Sequence, residues 1–95
     1  MLRAILYRDR EAFHSNGPAG AIFFNLIDDP VALWFRCPCG CGDLARIPVG
    51  KDAKPAVSPS WKWNGSLTEP TLEPSVHQLN CGWHGFLRDG YWESV

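Results

Sequence analysis

The stretch that decides the fold is "RCPCGCGDL" at residues 36–44, where Cys37, Cys39 and Cys41 are each separated from the next by a single residue. The fourth cysteine, Cys81, stands far downstream in "NCGWHGF" at 80–86. Two cysteines one residue apart bridge each other only with strain. The N-terminal "MLRAILYRDREAF" lacks the apolar run and small-residue cleavage site of an export signal, so a cytoplasmic protein is expected. Clustered cysteines in such a chain read as metal ligands rather than disulfides.

A tetrahedral ion is enclosed by thiolates and imidazoles converging from two short loops. The first knuckle is Cys37-Pro38-Cys39-Gly40-Cys41-Gly42 and the second Cys81-Gly82-Trp83-His84-Gly85. Five candidate ligands, Cys37, Cys39, Cys41, Cys81 and His84, are offered to a site that takes four, so one is surplus. Zinc is the expected metal, with a [2Fe-2S] cluster as the alternative. Closing a loop of the chain around an ion would also stabilise a domain whose core is small. A chain of 95 residues fits one domain and buries only about 60–65% of the surface its unfolded form exposes.

Away from the knuckles, eight prolines and nine glycines interrupt any long helical pattern. Short strands fit better: 2–7, 21–26, 32–36, 44–49, 61–63, 71–76, 86–88 and 91–93. The expected fold is mainly β, a small antiparallel sheet or sandwich with hairpins, closed by a zinc-ribbon-like or Rieske-like two-knuckle site. Asn64-Gly65 and Asp89-Gly90 are dipeptides that tolerate positive φ at both centres of a type I′ turn. The second would set Leu87 opposite Trp92. The proline-marked segments 49–60 and 69–75 read as loops or edge strands, the first as the most mobile part of the chain.

Nine basic and ten acidic residues give a net charge of −1 with no block of either sign, which counts against nucleic acid. The longest apolar stretch, "AGAIFFNLI", is too short to cross a bilayer. Five tryptophans exceed what so small a core absorbs. Trp34 reads as core, and Trp61 and Trp63 as an exposed patch for a protein partner or a homodimer seam. His14 and His77 read as surface histidines. Asp43, Glu69 and Glu73 are the nearest carboxylates by sequence for a metal-dependent hydrolase, and no H-E-x-x-H pair accompanies them.

"CGWHG" resembles the second metal-binding loop of the Rieske fold and "CPC" its first with cysteine replacing histidine. That resemblance implies Cys37, Cys39, Cys81 and His84 as ligands, with Cys41 surplus, and an electron-transfer role. From about residue 32 onward, "CPCGCG … WKWNGS … EPTLEPSV … CGWHGFLRDG" resembles a family of small uncharacterised phage and bacterial proteins. Relatives of that family occur beside bacterial ubiquitin-like conjugation genes. It implies a metal-binding domain whose partner is a host or conjugation-pathway protein. The expectation is an accessory protein that acts through protein contacts, with no catalysis of its own.

Overall fold

Alternation of inward and outward side chains builds the larger of two sheets. In β3 (Val31–Arg36), Leu33 and Phe35 are buried while the residues after each, Trp34 and Arg36, are only half-buried, the period of a strand with one face on a core. It pairs antiparallel with β2 (Ile22–Asn25) and with β4 (Leu44–Lys51). β4 runs parallel to β5 (Trp61–Trp63), and β5 is antiparallel to β6 (Leu72–Glu73), giving the order β2-β3-β4-β5-β6. The computed structural model describes all 95 residues.

The second sheet has the order β1-β9-β8-β7, all antiparallel, from β1 (Leu2–Arg3), β7 (Val76–His77), β8 (His84–Arg88) and β9 (Tyr91–Ser94). Its hairpin turn at Asp89-Gly90 has φ of 49° and 82°, the positive pair a type I′ turn requires. Leu87 lies opposite Trp92 as expected. Both are buried, in one cluster with Leu33, Phe35, Ile47 and Val49 of the larger sheet. Phe35 and Trp92 meet there with ring centroids 4.9 Å apart. The Trp92 indole N–H donates to Gly20 O at 2.9 Å, so the ring is buried without an orphan donor.

Five expectations change. A helix, α1 (Arg10–Asn16), forms where none was read: the Asp9 carboxylate accepts from Ala12 N–H at 2.9 Å as its cap, and Phe13 anchors it. The Asn64-Gly65 dipeptide does not make a two-residue hairpin, because Trp63 pairs with Leu72 across residues 64–71. The Asn64 side chain instead accepts from Ser66 N–H and Thr71 N–H, both at 3.1 Å, and ties that longer loop together. Trp63 is 6% exposed and stacks on Phe24 at 4.6 Å, so it belongs to the core and not to a surface patch. Trp34 lies outside that core, half-buried against His14 of α1. The predicted strand over 71–76 divides at Pro74-Ser75: β6 belongs to one sheet and β7 to the other.

Candidate functional site

The first knuckle follows β3 directly. Cys37 N–H donates to Asp43 O at 2.9 Å and Gly40 N–H to Cys37 O at 3.1 Å, closing a tight loop. Gly40 and Gly42 sit at φ of 88° and 86°, conformations that side chains with a Cβ disfavour. The second knuckle is the turn between β7 and β8, closed by Gln78 N–H to Trp83 O and Gly82 N–H to Gln78 O, each 2.7 Å. A hydrogen bond from the Asn80 amide to the Asp43 carboxylate ties one knuckle to the other.

The four thiols converge between these loops. Cys37 Sγ is 3.2 Å from Cys39 Sγ and 3.3 Å from Cys81 Sγ, Cys39 and Cys81 are 3.6 Å apart, and all four sulfurs including Cys41 lie within 4.8 Å of one another. Four thiolates around one tetrahedral ion with bonds of about 2.3 Å stand about 3.8 Å apart, so the donor set fits a single ion. A two-iron cluster divides its ligands between two metals and spreads them more widely. Burial pushes the Cys37 thiol well above its ordinary range, while hydrogen bonding from Cys37 draws the exposed Cys39 down to about 7. Cys39 is therefore a readier thiolate than Cys37.

Cys41, the surplus thiol of the Rieske-like mapping, is thus with the other three, and His84 is not. The reason is strand register. His84 opens β8 and lies opposite His77 of β7. Gln78 and Trp83 form a hydrogen-bonded pair, so alternation makes His77 and His84 a non-hydrogen-bonded pair, whose side chains stand closest. The two imidazoles lie 5.1 Å apart. Ser75, two residues before His77, shares that face of the sheet, and its Oγ is 2.8 Å from His84 Nε2. Val76 and Gly85 face the other way and are buried. Gly85 must lack a side chain, since a Cβ there would fall 2.2 Å from Glu93 O.

Ser75 is held at the point where the chain passes from one sheet to the other. The Trp61 indole N–H, from β5, donates to Ser75 O at 3.1 Å. Two open clefts meet at the neighbouring Pro74: one of about 390 Å3 lined by Pro55, Pro59, Ser60 and Trp61, and one of about 320 Å3 lined by Leu72, Glu73, Phe86 and Arg88. A larger concavity of about 490 Å3, with Pro38, Trp83 and Ser94 in its wall, lies by strand parity on the side of the β8–β9 pair away from His84. A serine hydroxyl on the nitrogen of an exposed imidazole, next in sequence to the proline shared by two clefts, has the chemistry of a nucleophile with its base.

Ser75 escaped the sequence reading, which assigned His84 to the metal and His77 to the surface. The available signal was the alternation in "SVH" at 75–77, which sets a serine and a histidine on one strand face. Of the carboxylates considered, Asp43 braces the knuckles through Asn80, Glu73 pairs with Lys62 at 3.8 Å, and Glu69 donates its backbone N–H to Ser66 Oγ at 2.9 Å. No helix is long and apolar enough to cross a membrane. The family described as "Bacterial ubiquitination-like system serine protease (BubE)" matches residues 9–95. No curated protein and no solved structure is a significant match.

Proposed function

The chain belongs to the BubE family, and from that premise we propose that it is a cytoplasmic serine protease of a bacterial ubiquitination-like system, with a structural zinc ion held by Cys37, Cys39, Cys41 and Cys81. The observation that carries the catalytic reading is the 2.8 Å contact between Ser75 Oγ and His84 Nε2. With the ring proton on Nδ1, Nε2 accepts the hydroxyl hydrogen. Ser75 Oγ attacks the carbonyl carbon of a peptide or isopeptide bond while its proton passes to Nε2. The imidazolium gives that proton to the departing amine as the C–N bond breaks, leaving an acyl ester on Ser75. Water, deprotonated by the same nitrogen, then hydrolyses the ester and releases the carboxylate.

The thiol group supports a closed structural site, since four cysteines complete a tetrahedron and leave no position for water or substrate. Zinc fits that donor set and adds no redox chemistry. The protein's partners are then its substrates and neighbours in the pathway, and contact with them serves a reaction. The test treats the purified, untagged protein with a fluorophosphonate and maps the adduct by mass spectrometry. Elemental analysis is run on the same sample. A single adduct on Ser75, lost in His84→Ala, with about one zinc per chain, is the expected result. A folded, metal-loaded protein that the probe does not label at Ser75 overturns the catalytic reading, and iron with sulfide overturns zinc.

A further inference from the structure

We infer that the substrate binds as an extended peptide that adds a strand to the open edge of β7, pairing through the main chain of His77 and running on past Pro74. This rests on the reading of Ser75 and His84 as nucleophile and base. β7 is the last strand of its sheet. Because His77 and His84 form a non-hydrogen-bonded pair, the N–H and C=O of His77 point away from β8, toward that open edge. An extended chain laid there can exchange both hydrogen bonds with His77, the arrangement by which strand edges capture peptides.

The register puts the chemistry where such a peptide would lie. His84 is on the β8 side of Ser75, so the opposite side, along the free edge, is the one from which a carbonyl carbon can approach Oγ without crossing the imidazole. Pro74, next to Ser75 in sequence, stands in the wall of the cleft with Pro55, Pro59 and Trp61. Prolines offer no N–H to compete for a peptide's carbonyls, and they leave a smooth wall for a chain in extended conformation. Ser75 O is already occupied by the Trp61 indole, which leaves His77 as the residue that reads the substrate backbone. Selection by main-chain pairing next to the nucleophile suits a flexible protein tail better than a folded surface.

The test exploits the fact that the His77 N–H serves no bond within the sheet. His77→Pro removes that donor without breaking the β7–β8 ladder, whereas His77→Ala keeps it. A fluorescence-quenched library of ten-residue peptides identifies the member cut fastest, and that peptide is the probe. With each variant's turnover divided by its own fluorophosphonate labelling rate, His77→Pro should be at least about tenfold slower than His77→Ala. Peptides N-methylated at one residue at a time should lose about tenfold at a single position besides the scissile bond, with its neighbours tolerated. Equal normalised rates for the two variants, or uniform tolerance of N-methylation, overturn the strand-addition proposal. So does Ser75 labelling with no peptide cut, or a dimer in sedimentation that His77→Pro dissolves. Absence of Ser75 labelling overturns the catalytic reading instead, and so separates the two failures.

Discussion

The two chemistry-bearing clusters share one short hairpin and are built by different means. At the closed end of β7–β8, the turn carrying Cys81 meets the 37–42 knuckle, and each group of ligands is assembled within a few residues of chain. Along the ladder, Ser75 and His84 are nine residues apart in sequence and meet only because antiparallel pairing sets His77 opposite His84. The thiols have the makings of a staple, since their geometry is satisfied by an ion and involves no substrate. The serine and histidine stand beside open clefts, with nothing of the protein's own to act upon. Local spacing thus secures the hairpin, and register positions the reactive pair on it.

The largest expected effect tests whether the reactive pair depends on the staple. Cys81→Ser should lose the metal and the cooperative unfolding transition together, because structural zinc in small domains contributes about 10 kcal/mol or more. Metal analysis and thermal denaturation check it, and a folded, zinc-loaded variant would break the comparison. Next comes Ser75→Ala, which should lower peptide hydrolysis at least a thousandfold, roughly 4 kcal/mol, with zinc content intact. Loss of zinc from that variant would mean that the two clusters are not separable.

Trp61→Phe sharpens the picture at intermediate size. It keeps an aromatic ring in the cleft and removes the N–H that holds Ser75 O, so hydrolysis and fluorophosphonate labelling should both fall about tenfold. A change in the Michaelis constant alone, with labelling unaltered, would show that Trp61 serves only the cleft. Smallest is Asp9→Ala, which strips the cap from α1 and should cost about 1 kcal/mol in denaturant titration. Labelling rate and zinc content should stay as they are, since α1 packs on β2 and not on the β7–β8 hairpin.

The same contrast explains what could be read before the fold was known. Cys-x-Cys-x-Cys with glycines announces a metal loop by itself, and Asp89-Gly90 announces a tight turn, because both depend on neighbouring residues. The mainly β architecture followed from breakers and alternation. Ser75 could not be paired with His84 from spacing, since their meeting depends on which strands adjoin and in what register. The Rieske-like loop sequence also drew His84 toward the metal. Asn64-Gly65 has the right chemistry for a type I′ turn, yet the partner strand begins only at Leu72. The short helix rests on a cap and one buried phenylalanine, too little to show as periodicity.

The crossing at Pro74-Ser75 has a mechanical consequence. Ser75 is fastened to the larger sheet through Trp61 and to the smaller through His84, so its hydroxyl is set by the alignment of the two layers. Misplacement of a reacting group by about 1 Å can cost a hundredfold in rate. On the proposed catalytic reading, turnover would gauge how the layers are seated on each other, and a core that lets them slide should slow hydrolysis well before the domain melts.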